Sequence, residues 1–120
     1  MKLLDSNILI YAPQPAYRYL LPLLVDPNCF VSEITRLEVL GFYRLTASEK
    51  DYYERVFNQI TLLPVTKEVI TLAIEYRQNR KMSIGDSIHA ATAFLYDLEL
   101  QTRNVSDFSA ISGLRVNNPI

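Results

Sequence analysis

Four acidic residues stand where an α/β chain of this length could bring them into one pocket. Asp5 and Asp107 follow short apolar runs that predict strands, and Glu38 and Asp86 lie in segments that predict helices. Carboxylates so far apart in the chain indicate a metal site rather than a local turn, because Mg²⁺ and Mn²⁺ prefer oxygen ligands. Such ions promote phosphodiester hydrolysis. The four acids are therefore candidates for both metal binding and catalysis.

Each acid also has a local interpretation. Asp5 could form a turn or cap the following helix, and Asp107 could cap a turn. Glu38 could lie on a partly exposed helix face, and Asp86 could complete a capping box with Ser83. All four local interpretations together are harder to accept than any one of them. A cluster of carboxylates without a cation would repel and raise the pKa of one member, so such a cluster implies a bound metal.

One histidine and several neutral polar residues stand beside the acids. His89 lies one helical turn after Asp86, and its role stays open between a packed structural residue and a general base. The chain has one histidine, which excludes a histidine-rich Zn²⁺ site. Neutral donors next to the acids are candidates for bonds to the carboxylates, a water or a phosphate: Ser6, Asn7, Thr102 and Asn104.

The charge balance limits the kind of nucleic-acid protein that the chain could be. The net charge is −1, which argues against a protein that coats nucleic acid without sequence preference. It does not argue against an enzyme that acts on RNA, since a few basic side chains can hold the backbone. Candidates for that role, each equally explained as a solvated surface charge, are Arg77, Arg80, Lys81 and Arg103. No glycine-rich phosphate loop is present.

Length and hydropathy predict one ordinary domain. The 120 residues, 49% of them apolar, are enough for a single core, so we expect one domain over residues 1–120. No signal-peptide segment and no apolar run of about 18 residues for a membrane span is visible. Cys29, the only cysteine, is expected to be a small buried side chain rather than a reactive thiol. We therefore expect a cytoplasmic protein.

Apolar runs and cap residues predict alternating strands and helices. Five short runs predict strands, at 2–5, 29–31, 60–65, 98–102 and 114–116, the third at a sheet edge or strand end because of Pro64. Periodic segments predict helices at 8–12, at 16–25, which Pro22 could kink or divide, and at 33–44, which Ser32 is placed to cap. Thr46 and Ser48 each stand three residues before an acid, Glu49 and Asp51, which is the capping-box spacing for a helix to about residue 59. Thr66 is expected to cap a further helix, and the last predicted helix covers 84–97. Phe42 and Tyr43 follow the helical recurrence of 33–44, and Phe94 and Leu95 are expected in the core. This order predicts a parallel sheet with helices on both faces and a ligand site at the carboxyl ends of the strands.

The motifs resemble those of PIN-domain ribonucleases, and among them the VapC-type toxins of bacterial toxin–antitoxin pairs. The matching segments span nearly the whole chain in the expected order: LLDSNILIY at 3–11, VSEITRLEVL at 31–40, GDSIHAATAFLYDLELQTRNVSDF at 85–108 and LRVNNP at 114–119. Together with TRNxxDF, the opening DxN and the aspartate of DSIHAATA are highly specific for this family. Ser6 stands where threonine is common, and it keeps the hydroxyl.

The resemblance implies a three-layer α/β/α sandwich with a central, mostly parallel five-stranded sheet. It implies an RNA endonuclease that depends on Mg²⁺ or Mn²⁺, with Asp5, Glu38, Asp86 and Asp107 as the metal-binding acids. Asn104 matches the asparagine of the TRN signature. The resemblance also implies a homodimer and a small antitoxin that inserts a segment into the acidic groove and blocks it.

Two other functions fit part of the pattern. A phosphoryl-accepting aspartate, as in haloacid-dehalogenase-like phosphatases, requires a second aspartate two residues after the first, where this chain has Asn7. Receiver domains require an acidic pair and a lysine that are also missing. A catalytically inactive PIN-like domain that binds RNA or a protein would normally have lost an acid, and all four are present. Metal-dependent RNA hydrolysis is the preferred prediction.

Overall fold

Five short strands form one sheet at the centre of the protein. The computed structural model describes residues 1–120. The strands are β1 (Lys2–Leu4), β2 (Cys29–Ser32), β3 (Thr61–Leu63), β4 (Glu99–Gln101) and β5 (Val116–Asn117). Their order is β3-β2-β1-β4-β5, and all four pairings are parallel. The predicted parallel sheet and the edge position of the third strand are confirmed, whereas β5 begins two residues later than expected.

Helices connect the strands and begin at residues that the sequence marked as caps. The α-helices are α1 (Ser6–Tyr11), α2 (Glu33–Leu40), α3 (Ala47–Gln59), α4 (Lys67–Asn79) and α5 (Ile84–Leu95), with 3-10 helices at Pro15–Val25 and Val105–Asp107. Ser32, Thr46, Thr66 and Ser83 each accept a hydrogen bond from a backbone N–H of the first turn. The Thr46 N–H donates in return to Glu49, so the predicted capping box is confirmed there. No helix has the length and hydropathy needed to cross a membrane.

The helix after β2 is shorter than predicted. It ends at Leu40 instead of near residue 44, and Gly41 follows as its C-cap. Glycine is a poor helix former, which explains why the chain leaves the helix there. Phe42 and Tyr43 are 52% and 86% exposed instead of lying on a helix. Their rings contact each other in the loop, with centroids 5.4 Å apart.

Two other segments differ from the prediction. Residues 16–25, predicted as a helix that Pro22 could kink or divide, belong to the undivided 3-10 helix Pro15–Val25, in which Pro22 has no N–H to donate. The last long helix, α5, ends at Leu95 instead of residue 97, and Asp97 with a φ of 54° then turns the chain toward β4. Phe94 and Leu95, predicted as core, are each 46% exposed in this last turn.

Apolar side chains cover both faces of the sheet. Leu3 and Leu4, neighbours on β1, point to opposite faces because side chains alternate along a strand. Leu3 packs in a cluster with residues of α4 and α5, and Leu4 packs in a second cluster with residues of α1, α2 and α3. Cys29 is free and buried in the second cluster, as predicted. Helices on both faces confirm the predicted three-layer α/β/α sandwich.

The strand order reverses next to β1. From β1 the chain moves outward to β2 and β3, and it then returns to place β4 on the other side of β1. In open α/β sheets ligands bind in the crevice at the carboxyl ends of strands where the order reverses. The Asp5 N–H donates to the Gln101 carbonyl at 2.9 Å across this point. The residues that follow β1 and β4 therefore meet at the edge where a site is expected.

Candidate active site

Asp5 is held by residues that follow β4. Its side chain is 8% exposed, and the Thr102 hydroxyl donates to Asp5 Oδ2 at 2.7 Å. Thr102 Oγ1 in turn accepts the Asn104 N–H at 3.1 Å, and the Asn7 side-chain amide donates to Asp5 Oδ2 at 3.4 Å. Asp5 occupies the N-cap position of α1, which begins at Ser6, yet its side chain makes no capping hydrogen bond. The local capping interpretation of Asp5 is therefore wrong, since the carboxylate is bonded across the sheet edge.

Glu38 reaches the same place from α2. Its Oε1 accepts from Ser6 Oγ at 2.8 Å and lies 3.1 Å from His89 Nε2, while 41% of its side chain remains exposed. The hydrogen bond with His89 lowers the pKa of Glu38, and the His89 charge and the Ser6 bond lower it further, against the effect of burial. Glu38 is both partly exposed and paired, so neither predicted alternative describes it alone.

His89 lies between the two carboxylates. Its side chain is 1% exposed, and Nε2 lies 3.1 Å from Glu38 Oε1, 3.4 Å from Asp5 Oδ1 and 3.4 Å from Ser6 Oγ. Burial alone lowers the pKa of His89, but the Glu38 hydrogen bond and the charges of Asp5, Glu38 and Asp86 raise it by more, so the pKa is raised overall. The buried Nδ1 has no hydrogen-bond partner. The contacts favour a hydrogen-bonded structural residue over a general base.

Asp86 lies in the first turn of α5, half-buried and close to two other aspartates. Ser83 accepts the Asp86 N–H at 3.1 Å, but the Asp86 carboxylate does not accept the Ser83 N–H, so the predicted capping box is not completed. Burial raises the pKa of Asp86, and the charges of Asp5 and Asp107 raise it further, while His89 and Ser83 lower it. A cap alone does not explain this environment, because three carboxylates share it without a lysine or arginine partner.

Asp107 lies on the exposed side of the group. The sequence placed it at a strand end, but the structure places it in the 3-10 helix Val105–Asp107, separated from β4 by the loop from Thr102 to Asn104. Its backbone N–H donates to the Asn104 carbonyl at 3.0 Å. The loop brings Asp107 back toward the edge of the sheet, where its charge acts on Asp86.

The donor chemistry fits a hard cation, although the side chains do not surround one. No three Asp, Glu, His or Cys side chains are arranged around a common point that could hold a metal ion. Oxygen atoms are the ligands that Mg²⁺ prefers, and Mg²⁺ keeps several waters, so it needs few direct carboxylates. Burial raises the pKa of Asp86, and the charges of Asp5 and Asp107 raise it further, so a cation among the three would relieve the repulsion between them. Asp5, Asp86 and Asp107 are the residues that could hold it.

Of the four basic candidates, Arg103 lies beside the acids. The Arg103 guanidinium stacks over the Tyr11 ring, 4.9 Å from the centroid. The Arg103 backbone N–H donates to Asn7 Oδ1 at 3.4 Å. Arg77 donates to the Met82 carbonyl, and Arg80 stacks on Tyr76, both at the end of α4. The exposed Lys81 follows them. A structural or surface interpretation therefore fits these three, and Arg103 remains the candidate for contact with a ligand.

Two residues that contact Glu38 or its partners were not among the predicted site residues. A Cβ placed on Gly85 would lie 2.7 Å from Glu38 Oε2, so the carboxylate occupies the space that a side chain would fill. The buried Thr35 hydroxyl lies 3.1 Å from Ser6 Oγ, within hydrogen-bond distance. Gly85 stands next to Asp86 in the chain, but its neighbour comes from α2, which no local pattern reveals. A pocket of about 220 Å³ adjoins Glu38, lined also by Ile10, Val39, Phe42, Leu45, Glu49 and Tyr53.

Comparison with known proteins identifies the family. The PIN domain model matches residues 2–114. The fold is similar to a chain of the toxin-antitoxin complex from Klebsiella pneumoniae, with 28% identity and a TM-score of 0.81 over 100% of this chain and 98% of that chain. It is also similar to FitAcB from Neisseria gonorrhoeae, with 23% identity and a TM-score of 0.80 over 99% and 98% of the two chains. A third similar fold is VapBC2 from Rickettsia felis bound to a DNA fragment from their promoter, with 18% identity and a TM-score of 0.79 over 98% and 97%.

No curated protein matches the chain in sequence. The predicted resemblance is nevertheless confirmed, because the family model covers nearly the whole chain and the sheet order places the motif residues at one edge. By that match, the chain belongs to the PIN domain family.

Proposed function

We propose that the protein is a metal-dependent endoribonuclease and the toxin of a type II toxin–antitoxin pair. In this proposal the catalytic, metal-binding acids are Asp5, Glu38, Asp86 and Asp107. The observation that carries it is the grouping of three aspartates at the β1–β4 edge, where burial, Asp5 and Asp107 raise the pKa of Asp86. PIN domain membership and the full-length similarity to a toxin-antitoxin complex support the nuclease class and the toxin role.

The residues of the chain divide the work of phosphodiester hydrolysis. A bound Mg²⁺ or Mn²⁺ supplies activation of water and neutralises charge at the phosphate. Asp5 presents its carboxylate in a fixed position because Thr102 donates to it at 2.7 Å. Asp86 is half-buried and Asp107 is exposed, so in this proposal an RNA strand approaches the acids from the side of Asp107. Glu38 adds a carboxylate from α2 that acts through water.

Polar and basic groups of the loop after β4 contact the RNA backbone in this proposal. Arg103 is exposed, and stacking on Tyr11 limits the positions of its guanidinium. Asn104 lies beside it, with its N–H already bonded to Thr102. The Arg103 guanidinium and the Asn104 amide near the acids suit a single phosphate group. In this proposal they position the RNA strand and do not recognise its bases.

An antitoxin protein and a second copy of the chain are the proposed partners. The similarity to a chain of a toxin-antitoxin complex from Klebsiella pneumoniae supports an antitoxin. In the proposal, a segment of that antitoxin covers the acidic edge and blocks access to it. Exposed isoleucines along α4 and α5 offer an apolar surface for a homodimer, at Ile70, Ile74 and Ile84.

RNA cleavage with a metal requirement tests the proposed function. Total tRNA and rRNA are incubated with the protein with and without Mg²⁺ or Mn²⁺, and the fragments are compared with those from Asp86→Asn. Discrete fragments that need the metal and vanish in the variant are expected. Equal cleavage by Asp86→Asn would show that the site is wrong or that a contaminating nuclease is active.

A catalytically inactive module that binds RNA or a protein is the second candidate. The observation in its favour is that Asp5 and Glu38 already accept hydrogen bonds from the protein, and no three side chains encircle a cation. It predicts that wild type and Asp86→Asn bind RNA or a partner equally and that neither cleaves in Mn²⁺. Binding and cleavage measured on the same two proteins separate the candidates.

A further inference from the structure

Two residues of α5 that the proposed catalytic set does not include face the Glu38 carboxylate. Gly85 and His89 lie one helical turn apart, so both face the same side of the helix. His89 Nε2 lies 3.1 Å from Glu38 Oε1. A Cβ on Gly85 would lie 2.7 Å from Glu38 Oε2. One oxygen of the carboxylate thus meets a polar hydrogen of the imidazole, and the other fills the space above the glycine.

The imidazole also ties Glu38 to Asp5. His89 Nε2 lies 3.4 Å from Asp5 Oδ1, so the same nitrogen faces two carboxylates from different elements. Ionised carboxylates only accept hydrogen bonds, so Nε2 carries the hydrogen in the folded protein. The ring therefore acts as a fixed spacer between the two acids, one at the end of β1 and one on α2.

The destabilising effect of the buried His89 ring indicates why a histidine stands at this position. His89 is 1% exposed, and its Nδ1 has no hydrogen-bond partner. A buried polar atom without a partner destabilises the fold, and an apolar side chain of similar size would avoid that cost. The bonds made by Nε2 are therefore what distinguishes histidine from an apolar residue at this position.

The missing side chain at residue 85 has a matching explanation. An added Cβ would meet the end of a flexible side chain, Glu38, rather than backbone, so Glu38 would be displaced while the helix keeps its path. Alanine also suits a helix better than glycine. Glycine at this position thus favours the placement of Glu38 over the stability of α5.

We propose that Gly85 and His89 form a seat on α5 that sets the position of the Glu38 carboxylate relative to Asp5. They are positioning residues that act through the acids and do not touch the substrate. The inference rests on the proposed function for its consequence in metal binding, but the seat itself is a contact that can be measured without metal or RNA.

The contact is tested by NMR of the imidazole. His89 is the only histidine, so its ring signals in ¹⁵N-labelled protein need no assignment. In metal-free protein we expect a hydrogen on Nε2 and a change in the ring signals on Glu38→Gln. An Nδ1–H tautomer, or ring signals that do not change on Glu38→Gln, would overturn the proposal.

The consequence is tested by Mn²⁺ affinity, measured by electron paramagnetic resonance of the free ion, together with the melting temperature. The variants are Gly85→Ala, His89→Met and His89→Gln, with Ser87→Ala on the same helix as the control. We expect Gly85→Ala and His89→Met to weaken Mn²⁺ binding by about 10- to 100-fold, the usual range for groups that orient metal ligands. His89→Gln keeps an N–H donor and restores most of the affinity, and Ser87→Ala leaves it unchanged.

The melting temperature separates positioning from a merely structural role. Gly85→Ala keeps or raises the melting temperature while it lowers the Mn²⁺ affinity. Wild-type affinity in both Gly85→Ala and His89→Met would overturn the seat and leave the proposed nuclease intact, provided that Asp86→Asn still abolishes binding and cleavage. If the wild type neither binds Mn²⁺ nor cleaves RNA, the proposed function fails first, and the role of the seat in it fails as well.

Discussion

The two halves of the acidic site are held in different ways. We call Asp5 and Glu38 the inner acids because both contact the buried His89. Asp5 accepts a hydrogen bond from Thr102, and Glu38 accepts one from Ser6. The outer acids, Asp86 and Asp107, form no ion pair with a lysine or arginine.

The pKa shifts of Glu38 and Asp86, one acid from each half, follow the same division. The hydrogen bond with His89 lowers the pKa of Glu38, whereas burial and the charges of Asp5 and Asp107 raise the pKa of Asp86. Hydrogen bonds therefore stabilise the charge of Glu38, whereas burial and like charges outweigh the favourable effects of His89 and Ser83 on Asp86. A cation from solvent stabilises a carboxylate that is held near like charges. Cation binding is therefore most favourable electrostatically at the outer acids.

Replacing one acid from each half is expected to have the largest effect. Asp5→Asn and Asp86→Asn should each lower RNA cleavage by about 100-fold or more, since a metal site contributes several kcal/mol to the barrier. Their effects on the free energy of unfolding should have opposite signs in metal-free buffer. Asp5→Asn loses a charged partner of Thr102 and His89 and costs about 1 kcal/mol, whereas Asp86→Asn removes a repelled charge and stabilises. Urea unfolding measures both.

The pH dependence of that difference sharpens the same prediction. An aspartate with a raised pKa contributes stability below its ordinary pKa, and this stability is lost as pH rises through the raised pKa. The advantage of Asp86→Asn over wild type should therefore be absent in strong acid and grow with pH across the acidic range. An advantage that shrinks as pH rises would show that the outer acid is compensated after all.

Addition of Mn²⁺ is the next largest expected effect. A ligand that binds only the folded state at 100 times its Kd stabilises by about 2.7 kcal/mol. We expect Mn²⁺ to raise the melting temperature of wild type and to leave that of Asp86→Asn nearly unchanged. Thr66→Ala removes the cap of α4, which makes no hydrogen bond to the acids, and serves as a control that should respond like wild type. Equal stabilisation of all three proteins would place the bound ion elsewhere.

Removal of one hydroxyl tests how the inner acids are held. Thr102→Val keeps the shape of the side chain but loses the donor to Asp5 at 2.7 Å. Hydrogen bonds to charged groups contribute about 1.5–3 kcal/mol, and loss of a group that orients a metal ligand lowers activity by about 10- to 100-fold. Thr92→Val is the matched control, because this buried hydroxyl donates to the Ile88 carbonyl within α5. It should lose some stability and keep full cleavage.

The smallest expected effect lies outside both halves. Thr66 accepts the Val69 N–H at 3.2 Å and caps α4. Thr66→Ala should lower the free energy of unfolding by about 1 kcal/mol, the usual cost of a lost cap, and leave cleavage unchanged. A loss of cleavage in this variant would mean that the stability of α4 is coupled to the acids.

Much of the fold could be predicted because its signals are local. Ser32, Thr46, Thr66 and Ser83 were identified as caps from their spacing to the following residues, and each makes the predicted bond. Short apolar runs located all five strands to within two residues. The acids could be singled out for a related reason, since a charged residue inside an apolar segment such as Glu38 calls for a partner.

Other features depended on neighbours from distant segments. Phe94 and Leu95 have apolar side chains in a helical pattern, but their exposure follows from where α5 ends. The contact of His89 with Glu38 and the filled space above Gly85 exist only because α2 meets α5 at this edge.

The sequence by itself determined which residue types stand at the ends of strands and starts of helices, because caps, turns and periodicity act over a few residues. The tertiary structure alone decided how the four carboxylates share their surroundings. It placed Asp5 and Glu38 against hydrogen-bond donors and left Asp86 beside Asp5 and Asp107. Electrostatic interaction depends on distance in space and on burial, and for residues far apart in the chain both are set only when the sheet and its helices pack.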